Sequence, residues 1–343
     1  MNKHTNAWIR LAAGLLSGLS LLAITGCGQL TALQKTHEPI QRTDFLLNTF
    51  VDIKIYDSTD TSILDDAIAI CKDYESRFSR TIESSEIYQF NHRAADTQTV
   101  SLSAETAELL ETALFYCERS DGAFDITIEP VSSLWDFTSG QAVVPAPDLI
   151  ETAAARIGYQ NLLLDGTHLT AVSPETTIDL GAIAKGYIAD RIRDHLTESG
   201  VTSAVINLGG NILCIGEKPD GSPFKIGLQK PFAESSETFA TVAIKDLSVV
   251  TSGVYERHFF ADDTHYHHIL DPKTGYPYDN GLISVTILSK HSVDGDGLST
   301  TCFSLGLERG MELIESMDGV YACFIDENYN IYYSTGMEQF LVK

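Results

Sequence analysis

The sequence predicts an α+β fold, with a mixed sheet and helices in packed layers. Three observations carry this. Short apolar–polar alternations of strand period are scattered through the chain, as in Val51-Asp-Ile-Lys-Ile55. Longer runs carry apolar residues at helical spacing, such as Ile63, Ala67, Ile70, Cys71, Tyr74 and Phe78. The two kinds do not follow a βαβ rhythm, and no internal repeat or low-complexity linker divides the chain.

The start of the chain stands apart. Lys3 and Arg10 give a basic beginning, residues 11–24 are an apolar run, and Thr25-Gly26-Cys27 ends it. That run is too short and weakly flanked for a membrane span and reads as an export signal. The Thr-Gly-Cys junction resembles the lipobox of bacterial lipoproteins. The expectation is a signal peptide over 1–26, lipidation at Cys27, a polar flexible tether over 27–41, and one folded domain over 42–343.

Within that domain each element has its own signal. Residues 51–55 are a half-buried strand, and Ser62 with Asp65 caps the helix that runs to Phe78. Ser103 opens a second helix with Leu109, Leu110, Ala113, Leu114 and Cys117 inward, closing at Gly122. Pro145 and Pro147 punctuate a loop before a short helix that ends at Gly158. Strands are predicted at 162–164 and 169–172. After the short run 176–178, the stretch 179–190 turns directly into a helix with Ile183, Ala184, Tyr187, Ile188 and Ile192 on one face. Strands follow at 203–207, 224–228, 238–244, 248–251 and 283–288. Helices are expected from about Gly297 to Leu307 and from Met311 to Met317, then a hairpin near Asn328.

The balance of charge excludes some partners. Lys plus Arg number 23 against 47 Asp plus Glu in 343 residues, a net charge of −24. Nucleic acid, which demands a basic face, is not expected as a partner. An anionic ligand must then be held by a local device, such as a metal ion or a helix start. Beyond Cys27, five cysteines remain without C-x-x-C spacing and with apolar neighbours. They read as core residues rather than a disulfide or zinc framework, though a single bridged pair stays open.

Six polar constellations interrupt the core: Phe124-Asp125-Ile-Thr127, Asp179 to Lys185, Asn207 to Asn211, Thr251 to Arg257, His268 to Gly275, and Asp294-Gly-Asp-Gly-Leu-Ser-Thr300. Taken singly, each is also a good turn or loop. Asn207-Leu-Gly-Gly-Asn211 is not a dinucleotide fingerprint, because the spacing fails and no helix follows. Asp179 and Lys185 flank a helix start suited to an anion. The last constellation offers hard oxygens and no soft ligand, which favours Mg²⁺ or Ca²⁺ over zinc.

Together these motifs resemble the FAD:protein FMN transferase (ApbE-like) family. The likeness runs through Ser85-Glu-Ile-Tyr-Gln-Phe-Asn91, Gly122-Ala-Phe-Asp-Ile-Thr127, Asp179-Leu-Gly-Ala-Ile-Ala-Lys-Gly186 and Ile206-Asn-Leu-Gly-Gly-Asn-Ile212. It continues in Thr251-Ser-Gly253, Tyr255-Glu-Arg257, His268-Ile-Leu-Asp-Pro-Lys-Thr-Gly275 and Asp296-Gly-Leu-Ser-Thr300. The resemblance implies a T-fold-like architecture and a Mg²⁺-dependent reaction in which FAD is split at its pyrophosphate. FMN would pass to a Ser or Thr hydroxyl of a target protein and AMP would leave. By the same resemblance FAD is contacted by Leu47, Ala123, Phe124, Asp125, Asp179, Lys185 and Leu270. Mg²⁺ would be held by Asp296, Ser299, Thr300 and the Ala182 carbonyl, and His268 would be the base, while Asp294 is a rival ligand. The implied partners are FAD, the membrane through the lipid anchor, and flavin-accepting extracytoplasmic domains of membrane redox complexes. Leu47-Asn-Thr49 departs from the family's usual Met-Gly-Thr. An FAD pyrophosphatase giving FMN and AMP, or a non-catalytic flavin-binding lipoprotein, are the alternative readings.

Overall fold

The computed structural model describes residues 38–342 except Ser235. Its centre is an eight-stranded sheet that takes strands from both ends of the chain. β1 (Ile40–Leu46) and β2 (Thr49–Ile55) form a hairpin. Its two-residue turn, Leu47-Asn48, has φ of 54° and 56°. Positive φ at both positions gives the turn whose twist matches the flanking strands, and asparagine tolerates it well. β1 begins at Ile40, so the folded part starts two residues before the expected boundary of the tether.

A small three-stranded sheet of β3 (Thr99–Ser101), β4 (Leu162–Asp165) and β5 (His168–Ala171) stands beside the main one. The chain then returns through β6 (Ala204–Leu208) and β7 (Asn211–Ile215). β8 (Phe224–Gln229) pairs with β9 (Thr238–Ile244), and β10 (Ser248–Gly253) rejoins the main sheet. β11 (His258–Ala261) and β12 (Thr264–His267) form a hairpin, and β13 (Leu282–Ser289), β14 (Tyr321–Asp326) and β15 (Ile331–Tyr333) complete the sheet. The order across it is β1-β2-β6-β7-β10-β13-β14-β15.

The α+β class stands, but the sheet expected to be mixed pairs antiparallel at every described edge. Short turns join β1 to β2, β6 to β7 and β14 to β15, and a short turn can only reverse the chain.

Three helices, Ser62–Phe78, Ala184–Glu198 and Ser292–Glu315, pack on one another and cover one face of the sheet. The other face is covered by the β8–β9 hairpin, where Phe224, Leu228, Val242 and Ile244 meet Val249 and Leu288. Covered on both sides, all eight residues of β13 are buried, Ser284, Thr286 and Ser289 included. A satellite cluster forms around Trp135, with Val131, Ile150, Ala153 and Leu270. The five cysteines of the described residues are free and buried, and burial pushes the Cys71 thiol up to about 12, so they act as small core residues.

Helix boundaries differ from expectation in two places. Thr61, not Ser62, is the N-cap of the first helix, and it makes no side-chain cap bond. The helix expected from about Gly297 starts at Ser292 and is continuous to Glu315 apart from a kink at Gly306. Gly295 and Gly297 look like turn formers in the sequence, yet both sit in the helix where neighbours press close. A Cβ on Gly297 would lie 2.7 Å from the Tyr116 ring.

Candidate active site

The site begins with a packing constraint between two helices. Gly186, in the first turn of Ala184–Glu198, meets the start of Ser292–Glu315 so closely that any Cβ there would collide with the Ser292 carbonyl. One turn on, Asp190 fixes the second helix start. Its carboxylate accepts the Ser292 and Val293 N–H groups at 2.9 Å each and pairs with Arg193 at 2.8 Å. These are the capping bonds that the glycine-rich start could not supply itself.

This contact carries Asp296 into the first helix's N-terminus. Asp296 is buried, and its Oδ2 accepts the Gly186 N–H at 2.9 Å. The Lys185 Nζ stands 3.1 Å from Oδ1 and 3.3 Å from Oδ2. Lys185, expected on the dinucleotide, here neutralises the carboxylate expected on the metal. Because Gly186 N–H is turned to Asp296, it does not close on the Ala182 carbonyl four residues back, and no backbone N–H among the described residues takes that oxygen.

Three hydroxyls gather beside Asp296. Ser299 donates to the Asp296 carbonyl at 3.0 Å, and Ser252 on β10 lies 2.8 Å from the Ser299 Oγ and 3.2 Å from the Thr300 Oγ1. Asp294, the rival ligand, accepts the Tyr116 hydroxyl at 2.7 Å on Oδ1.

The donor set is therefore one carboxylate, two hydroxyls and one free carbonyl. Among the described residues no group of three His, Cys, Asp or Glu side chains is placed to hold a metal ion. Hard oxygens with a single carboxylate fit Mg²⁺, which keeps most of its shell for water and substrate phosphates. They do not fit zinc.

The histidine expected as the base and its neighbours come from the segment after β10 and from the end of β12. The His268 N–H donates to the Arg257 carbonyl at 3.1 Å, and its Nδ1 lies 3.3 Å from the same oxygen. Burial among protein atoms, and then the Arg257 charge, push the His268 imidazole down to about 3, with Lys185 adding to the effect. His268 is thus neutral at pH 7 and keeps a lone pair free. Glu256 is pushed up to about 7 by crowding from protein, with Asp296 adding to it and Lys185 and Arg257 opposing. Lys185, Glu256, Arg257, His268 and Asp296 thus share one field.

The remaining expected residues make contacts of their own. Asp179 accepts the Gly181 N–H at 2.9 Å and the Ser132 hydroxyl at 2.8 Å, and pairs with Arg80 at 3.2 Å. The Asp125 carboxylate accepts the Thr127 N–H at 2.8 Å and the Tyr159 N–H at 2.9 Å, and burial raises its pKa. The Phe124 side chain is in the main core, and the Ala123 carbonyl accepts from the Tyr278 hydroxyl at 2.9 Å. A cleft of about 640 Å³ opens beside this segment, between Gly122, Asp125 and Tyr159 on one side and Lys273, Thr274 and Tyr276 on the other; Asp296, Lys185 and His268 do not line it.

Leu270 is a core residue of the Trp135 cluster and bridges to Pro277. Leu47 forms the β1–β2 turn, where its N–H donates to Glu75 at 2.7 Å. That turn touches the β6–β7 turn, since Gly209, with φ of 62°, leaves no room for a Cβ beside Thr49. Cys27 and the expected signal peptide lie outside the described residues.

The model of the ApbE family matches residues 47–325, from the first hairpin turn to the end of β14. This chain belongs to the ApbE family. It is 38% identical over 293 residues to an FAD:protein FMN transferase of Klebsiella pneumoniae, covering 84% of this chain and 90% of the relative. A transferase of the same description from Treponema pallidum is 31% identical over 340 residues, covering 93% of each. The solved flavin transferase ApbE of Vibrio cholerae superposes with a TM-score of 0.79 at 27% identity, covering 89% of this chain and 99% of its own. The ApbE protein of Thermotoga maritima gives a TM-score of 0.80 at 31% identity, covering 89% and 100%.

The ApbE-family chain is thus a transferase enzyme, and its relatives support flavin transfer from FAD. Three residues of its site had no assigned role in the sequence: Ser252, Glu256 and Arg80. Ser252 and Glu256 lie within motifs that the sequence displays. Arg80 carried no signal, because a lone arginine in a polar stretch is ordinary.

Proposed function

We propose that this protein transfers FMN from FAD to a Ser or Thr hydroxyl of a target protein and releases AMP. The single observation that supports it best is the neutral His268 in one field with the Lys185–Asp296 pair and the Ser299 and Thr300 hydroxyls. The acceptor's O–H gives its proton to His268 as its oxygen attacks the phosphorus next to riboflavin. The bond from that phosphorus to the bridging oxygen breaks, and its electron pair leaves with AMP. Asp296, Ser299, Thr300 and the Ala182 carbonyl would hold Mg²⁺. When bound, the ion supplies positive charge to the pyrophosphate oxygens. Lys185 stands beside Asp296 and can turn to the phosphates. At the helix start the Gly181, Ile183, Ala184 and Gly186 N–H groups are bonded within the protein, which leaves those of Ala182 and Lys185 for the phosphates.

The test is intact-mass analysis of an acceptor domain incubated with the protein, FAD and Mg²⁺. The acceptor should gain one FMN, and His268→Ala should abolish the gain while FAD still binds. If FAD yields only free FMN and AMP with every acceptor supplied, water is the acceptor and the pyrophosphatase reading replaces this one. If FAD binds and is never cleaved, the protein is a flavin carrier.

The lipid anchor through Cys27 belongs to the same proposal. It places the enzyme at the extracytoplasmic face of the cell membrane, beside the redox complexes whose domains would accept the flavin.

A further inference from the structure

We infer that the Arg257 guanidinium grips the pyrophosphate of the bound dinucleotide and holds it in line with His268; this rests on the reading of the site as one that takes FAD. The first support is that this cation is unclaimed; Arg119 and Arg309 are likewise unpaired among the described residues, but of these three only the Arg257 charge acts on His268. Arg42, Arg77, Arg80, Arg156, Arg191 and Arg193 each pair with a carboxylate. Arg257 makes no ion pair and no side-chain hydrogen bond among the described residues, although the chain carries a net charge of −24. Glu256, the acidic residue beside it in the chain, does not make a salt bridge with it either.

The second support is position. The Arg257 carbonyl is the group that receives the His268 N–H at 3.1 Å, so the backbones of the two residues are paired across the open end of the β11–β12 hairpin. Lys185, the other cation of the site, is occupied by Asp296. An anion entering between the helix start and His268 therefore finds Arg257 already free, whereas Lys185 must first leave Asp296. A guanidinium is suited to this because its planar fork meets two phosphate oxygens at once. Its charge also disfavours a second proton on His268, so a phosphate that neutralised Arg257 would leave the base more basic at the moment of need.

The inference is tested by titrating FAD and riboflavin into the wild-type protein and into Arg257→Gln and Arg257→Lys, following flavin fluorescence. Riboflavin has the ring system without phosphate. Arg257→Gln should weaken FAD binding about ten- to a hundredfold, the usual loss of a charged hydrogen bond, and leave riboflavin binding unchanged. Arg257→Lys should recover part of the loss. Unchanged FAD affinity in Arg257→Gln overturns the inference, and so does an equal loss for FAD and riboflavin, which would make Arg257 a residue that shapes the site. Wild-type protein that binds neither FAD nor riboflavin overturns the flavin reading itself, and the inference with it.

Discussion

Asp296 is the residue on which most of the site turns, since Lys185, Gly186 N–H and the Ser299 side all converge on it. Asp296→Asn should reduce FAD cleavage by orders of magnitude with the fold intact, and EDTA should act likewise on the wild type. Undiminished cleavage in both experiments would remove the metal assignment. Ser252→Ala takes away the hydroxyl that orients Ser299 and Thr300. A loss of about 10–100-fold in the response of the activity to Mg²⁺ is expected, read from a metal titration. Charged residues at fixed spacing made Asp296, Lys185 and His268 legible in the sequence. Ser252 was not, because a serine in Thr-Ser-Gly looks like any loop residue until β10 is laid beside the second helix. His267 offers a separate residue-scale prediction. Its ring donates from Nε2 to the Tyr278 carbonyl and accepts the Ile269 N–H at Nδ1, and burial pushes it down to about 4. The unfolded chain takes up this proton near pH 6.5 and the folded one refuses it until about 4. The stability it protects is therefore complete above 6.5 and lost as pH falls toward 4, worth about 3 kcal/mol. His267→Gln should remove that part of the pH dependence in melting curves. Parallel curves for the two proteins would count against it.

At the scale of elements, the decisive contact is helix on helix at Gly186 and Ser292. Gly186→Ala would push the two starts apart and should cost ~1–3 kcal/mol or more, seen as a fall of several degrees in Tm. The same variant should weaken FAD binding, because Asp296 travels with the second helix. An unchanged Tm would mean that the backbone can yield there. Helical and strand periods made these elements visible in the sequence, including the helix face Ile183, Tyr187, Ile188 and Ile192, all four buried. What the periodicity could not show was where the second helix begins. Two glycines imitated a turn, and the cap that starts the helix, Asp190, lies about a hundred residues earlier in the chain. Likewise, the sense of the strands could not be read locally: pairing is a property of two segments, and each alternation is silent about its partner.

For the whole molecule, the proposed export signal and lipid anchor bear on where the enzyme works. Cys27→Ser should release the protein from membrane fractions, and flavinylation of a membrane-bound acceptor should slow while transfer to a soluble acceptor domain is unchanged, because tethering acts through effective concentration. Equal membrane retention of both proteins would end the anchor proposal. The two ends of the chain also share one sheet in a way that governs how the enzyme comes into being. β2 pairs with β6 in the register Val51↔Leu208, so the seam joins residues 51 and 208 across all the helices and the small sheet between them. A contact of such sequence separation forms late and slowly, since the loop must be closed before the pairing repays it. Until that seam zips, β2 is an unpaired apolar edge and the helix start that bears Lys185 has no floor beneath it. Refolding and the gain of flavin binding should then share one slow phase, and under the export proposed above the chain would have to complete that closure outside the cell's interior, beyond the reach of ATP-driven chaperones.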